Sequence, residues 1–136
     1  MIVRFNRLLK DAQARVPNLE VNLEVGDRSE FPNPRDYAYC EHFRDNTIRI
    51  VVAPDFEQLP PITQEAILRH ELAHAIEFAL GLKRTNYEFG PLLARTPERR
   101  ADQIAELVWD EPILYDTSDL QTLGQGVYPR PERLGL

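Results

Sequence analysis

TQEAILRHELAHAIEFALG, residues 63–81, is the stretch from which the rest of the chain is read. It runs 19 residues without proline or internal glycine, is rich in alanine and leucine, and stops at Gly81. Thr63 is placed to cap its first turn and Gly81 to end its last, so one helix is predicted across it. Ile67, Leu68, Leu72, Ala73, Ala75 and Ile76 are all uncharged, as a helix buried beneath a sheet requires.

Upstream the period changes from helical to alternating. Residues 37–43 (YAYCEHF) and 47–53 (TIRIVVA) flank the short Arg44-Asp45-Asn46 segment and predict a hairpin, with Ile48, Ile50 and Val52 on one face. Before it, residues 19–25 (LEVNLEV) alternate strictly between apolar and polar, the pattern of a half-buried strand. Residues 26–35, holding Pro32 and Pro34, join the two as a loop. Residues 2–16 place Ile2, Phe5, Leu8, Leu9, Ala12 and Val16 at helical spacing, with Pro17 as the stop.

Downstream, residues 82–95 read as a connection containing Gly90-Pro91. Thr96-Pro97 then pairs a capping residue with proline at the first helical position, and a helix is expected to about Asp110, before Pro112. Residues 113–136 carry Gly124, Gly126, Pro129 and Pro131 without a clear period and are expected to form an extended tail or covering segment. Strands and helices are segregated along the chain, which makes the fold class α+β: an N-terminal helix, a small three-stranded and mostly antiparallel sheet, then two helices. At 136 residues, all of this belongs to a single domain, residues 1–136.

Composition narrows the function. Hydrophobic residues make up 43% and charged residues 28%, the balance of a globular protein. A net charge of −6 argues against nucleic acid as a partner, since such proteins present a basic face. Arg95, Arg99 and Arg100 lie close together, but solvated helix-surface arginines are the plainer account. Charges interrupt every apolar pair near the start, and no run approaches a membrane span, so no membrane partner is expected. Cys40 is the one cysteine, which excludes an internal disulfide and makes a reducing, cytoplasmic location the expectation.

The chemistry lies in His70-Glu71-Leu72-Ala73-His74. Four residues of helix advance about 6 Å and return to nearly the same face, so both imidazoles reach one metal ion from adjacent turns. Glu71, one step from His70, stands beside that ion, where it can take a proton from a water and later give it to a leaving amine. The chain has three histidines, and two of them fall in this motif. The expected cofactor is zinc, which lowers the pKa of a water it holds towards about 7.

A third ligand must come from elsewhere. The metzincin pattern, with glycine and histidine further along the same helix, is excluded because Glu77 and Leu80 occupy those places. The helix beginning at Thr96 offers Glu98 and Asp102, one turn apart, with Ala101 and Ala105 small enough to let the two helices approach. Glu98 would complete a His-His-Glu set, and Asp102 would accept a hydrogen bond from a ligand histidine as an outer support. Against this, an acid in a helix's first turn is favoured by the helix dipole alone, and Asp102 also fits a solvated position. Cys40 is the rival ligand, resembling the cysteine of peptide deformylases, although this chain lacks their surrounding pattern and a buried strand cysteine accounts for it better. His42, on the same strand face as Cys40, reads as a strand-surface residue that could lie near the cleft.

HELAH followed by Glu98-Arg99-Arg100-Ala101-Asp102-Gln103-Ile104-Ala105 resembles the gluzincin clan of zinc metallopeptidases, and within it the minigluzincins and the ImmA/IrrE-type peptidases. The resemblance spans roughly residues 36–110. It departs at Ile104, where the family commonly has phenylalanine, and at residues 107–112, which only loosely echo a leucine-rich, proline-ended segment. The resemblance implies a zincin-like fold with His70, His74 and Glu98 as zinc ligands and Glu71 as general base. It also implies an edge strand above the metal that binds an extended peptide, with either strand of the hairpin able to serve.

The expected function is zinc-dependent peptide-bond hydrolysis on a peptide or protein substrate, with the oligomeric state left open. A self-inhibited peptidase, with the tail across its cleft, is a variant of that reading. The alternative from another class is a non-hydrolytic zinc-stabilised interaction or virion module. Retention of Glu71 and the shortage of cysteines favour the enzyme, since structural zinc normally takes four protein ligands. A metal-dependent nuclease is disfavoured by the acidity and by the absence of an aromatic-basic surface.

Overall fold

The computed structural model describes residues 1–91 and 94–110; the expected tail at 113–136 lies outside the described residues. The fold is α+β, with helix α1 (Ile2–Arg15), strands β1 (Asn22–Val25), β2 (Ala38–His42) and β3 (Ile48–Val52), and helices α2 (Pro61–Leu80), α3 (Leu82–Phe89) and α4 (Pro97–Trp109).

The three strands lie in the order β1-β3-β2, and β2 and β3 form the expected antiparallel hairpin, pairing Cys40 with Ile50. The sheet is mixed rather than mostly antiparallel, because β1 runs parallel to β3. The cause lies in β3. Ile48, Ile50 and Val52 are buried on the helix side, while Val51 is buried with Phe31 and Ala53 on the other. A strand that is apolar on both faces takes the centre of a sheet, so β1 and β2 become edges. The pairing in β1 is shorter than the alternation suggests, although Leu19 and Val21 are still buried in the core.

Helix α2 is the spine of the molecule. It is buried almost all round because α1, the sheet and α4 each pack against it. It starts earlier than expected, with Pro60 at the cap and Pro61 at the first helical position, so Thr63 lies inside the first turn. Proline suits that place because no intrahelical partner exists there for a backbone N–H. Gln64 closes the entry by donating to the carbonyls of Glu57 and Leu59, at 3.1 and 2.8 Å. Gly81 ends α2 as expected, with a φ of 78° that suits glycine. The connection that follows is not simply a loop, since it contains α3, held at its start by the Thr85 hydroxyl donating to the Gly81 carbonyl at 2.7 Å.

The core joins Phe5, Leu8 and Ala12 of α1 to Ile50 and Val52, to Leu68, Leu72 and Ile76, and to Ile104 of α4. Leu72 stands between the two motif histidines in sequence and is completely buried. Leu72→Ala is expected to lower unfolding stability by about 2–5 kcal/mol, read from urea denaturation, because a cavity at the centre of such a spine cannot collapse fully.

Candidate metal centre

The site begins with two turns of α2. His70 is completely buried and His74 mostly so, and their Nε2 atoms lie 3.0 Å apart with the rings nearly perpendicular, at 87°. Glu71 is 4% exposed, and one ligand atom from each of His70, Glu71 and His74 lies within 4.8 Å of the others. This group could hold a metal ion.

Helix α4 brings the next residues. Its start follows from local chemistry: the Thr96 hydroxyl accepts the Arg99 N–H at 3.3 Å, and Pro97 occupies the first turn. That start sets Glu98 above the histidines, with one carboxylate oxygen 3.0 Å from His70 Nε2 and the other 3.2 Å from His74 Nε2. One turn on, Asp102 accepts a hydrogen bond from His70 Nδ1 at 2.7 Å. Ala101 and Ala105 are buried against α2, as the close approach demands. The structure thus brings together all five residues singled out from the sequence.

The electrostatics follow from these contacts. Burial alone would disfavour a charged ring at His70, but hydrogen bonds to Asp102 and Glu98, with the charge of Glu71, raise its pKa to about 9. Burial would likewise raise Glu98, yet hydrogen bonds from the two histidines hold its carboxylate well below the usual range. Two imidazole nitrogens 3.0 Å apart thus face one carboxylate, whose two oxygens reach one nitrogen each at 3.0 and 3.2 Å.

An ion pair outside the motif fixes the two helices. Glu77 accepts from Arg100 in bidentate fashion, with Nε–O distances of 3.1 Å and an Nη2–O distance of 2.8 Å, while Arg100 Nη1 donates to the Arg95 carbonyl at 2.8 Å. Arg100 is consequently half-buried and is not one of a set of solvated arginines. The spacing of residues within one helix carries no signal for this pair. Glu77 lies one turn beyond His74, and only the docking of α4 reveals what it meets.

A cleft of about 430 Å³ opens over the cluster, lined by Ala38, Tyr39, Cys40, Glu71, His74 and Glu98 among others. β2 borders it, and among the described residues no strand pairs with β2 on its side away from β3. Burial, together with the charges of Glu71 and Glu41, pushes the Cys40 thiol well above its usual pKa. Cys40 thus stands in the wall of the cleft as a neutral thiol. His42 does not line this cleft, although its ring stacks on Phe78, which does. No helix among the described residues is long and apolar enough to cross a membrane. Comparison with models of known protein families, with curated proteins and with solved structures gives no match.

Proposed function

We propose that the protein is a zinc-dependent peptidase of the gluzincin type, with His70, His74 and Glu98 holding the metal and Glu71 acting as general base. The observation that carries this reading is the meeting of Glu98, from a separate helix, with both motif histidines at 3.0 and 3.2 Å. Tetrahedral zinc, with bonds of about 2.0–2.1 Å to nitrogen or oxygen, sets its ligand atoms roughly 3.3 Å apart. The 3.0 Å between the two imidazole nitrogens is close to that edge, Glu98 reaches each nitrogen with one of its oxygens, and three protein ligands are the number a catalytic zinc site uses.

Each residue then has a task. When bound, zinc supplies Lewis acidity, lowering the pKa of a water towards about 7 and polarising the substrate carbonyl. Glu71 takes a proton from the attacking water and delivers it to the leaving amine. Asp102 fixes the ring orientation of His70 by accepting from Nδ1, which aims Nε2 at the cluster. The Arg100–Glu77 pair keeps Glu98 over the histidines by tying α4 to α2. The bare edge of β2 is suited to an extended peptide, whose backbone would complete the missing ladder. A non-hydrolytic zinc module would need neither Glu71 at the cluster nor an open cleft.

Metal analysis of the purified full chain, paired with digestion of a broad peptide library, tests this reading. One zinc per chain and metal-dependent peptide cleavage are expected. Asp102→Ala is expected to fold but to bind zinc about 10–100-fold more weakly, measured by competition with a chromophoric chelator. Unchanged affinity in that variant would remove Asp102 from the support of the site.

A further inference from the structure

Phe78 sits at the end of the cleft and is 38% exposed, a large ring left open where a surface is available. It stacks on two histidines: His74 lies 6.1 Å away at 18° and His42 lies 5.3 Å away at 14°. Past this stack a second cavity opens, of about 550 Å³, beneath the end of the sheet where β1 and β3 begin and β2 ends. Asn18, Glu20, Asn22, His42 and Asp45 line it, and Phe78 is common to both cavities.

Its charge is one-sided. Glu20 and Asp45 line it, and among the described residues neither lysine nor arginine does. Arg49, next to Ile48 on β3, is engaged by Glu24 and Glu41 at 3.0 Å each. Hydrogen bonds from the Thr47 side chain and from its N–H, the latter at 3.0 Å, lower the pKa of Asp45. The cavity thus combines aromatic faces at its mouth with carboxylates and amides in its wall. This combination suits a long side chain with an apolar stem and a cationic end.

We infer that this second cavity is a side-chain pocket of the same cleft and takes a lysine or arginine of the peptide. The inference rests on the peptidase reading above. Cys40 lines the metal cleft, and His42, two residues along β2 on the same face, lines the second cavity. Two residues of strand cover about 7 Å. A peptide laid along the β2 edge, with its scissile bond at the cluster, presents every second side chain to that face. The residue two places from the scissile bond, on the side of the β2–β3 turn, therefore reaches the Phe78–His42 stack. Its methylene stem crosses the rings, and its charge meets Glu20 and Asp45. An acidic side chain there meets repulsion, and a short one leaves the pocket unfilled.

The test uses the zinc-loaded full chain and short labelled alanine-based peptides bearing Lys, Met or Glu at one varied position. Cleavage is expected to favour Lys over Met about 5–10-fold at one position, two residues from the cut, and to disfavour Glu there. The Glu20→Gln, Asp45→Asn double variant is expected to lose that Lys-to-Met discrimination, as removing two exposed charge contacts should. A second measurement is direct binding of the same peptides to the Glu71→Gln protein by fluorescence anisotropy. Cleavage without charge preference at any position overturns the pocket and leaves the peptidase standing. Lys-selective binding that the double variant abolishes, with no cleavage by the parent protein, supports the pocket and sinks the peptidase. Neither cleavage nor selective binding overturns both.

Discussion

The His70→Ala, His74→Ala double variant is expected to purify without stoichiometric zinc, against one zinc per chain for the parent protein. The size of the effect follows from the cluster. Each imidazole contributes one of three converging donor atoms, and a single carboxylate cannot hold zinc against buffer and water. Glu98→Ala leaves the histidine pair in place and is expected to weaken binding without abolishing it. Elemental analysis reads both outcomes, with circular dichroism to show that the fold is kept. Full zinc in the double variant would move the metal site elsewhere in the molecule. Full affinity in Glu98→Ala would remove only the third ligand.

Glu71→Gln is expected to retain zinc and fold while losing peptide hydrolysis by at least about 10²–10⁴-fold, the usual contribution of a general base. Glutamine matches glutamate in shape, so the buried position beside His70 tolerates it, but its amide cannot accept the proton of the attacking water. Cleavage rate at fixed zinc occupancy is the decisive measurement. Equal rates in parent and variant would show that another group takes that proton.

Parts of this structure were legible in the sequence for identifiable reasons. The histidine pair needs only a helix and a spacing, and TQEAILRHELAHAIEFALG supplies both. Glu98 and Asp102 were legible because Thr96-Pro97 fixes where α4 begins, and from that start the two acids fall one turn apart. Other features depend on how elements dock. The central place of β3 follows from burial on both its faces, and the signal for it is Val51, apolar where strict alternation asks for a polar residue. α3 is hard to read in the sequence because LKRTNYEF is only 8 residues long and lies between Gly81 and Gly90-Pro91, which mark a connection. The Arg100–Glu77 pair and the Phe78 stack join residues far apart in the chain, which no local pattern announces.

The division of the cluster between α2 and α4 also has a consequence in time. His70 and Glu98 are 28 positions apart, so at synthesis rates of about 5–20 residues per second the histidine pair precedes its carboxylate by roughly 1–6 seconds. During that interval the nascent chain presents His70, Glu71 and His74 without Glu98. Glu98 and Asp102 add their grip once α4 has been made and has docked through Ala101 and Ala105. A chain released before α4, or clipped ahead of it, lacks Glu98, Asp102 and the α4 wall of the cleft, so the cluster is completed late in the making of this protein.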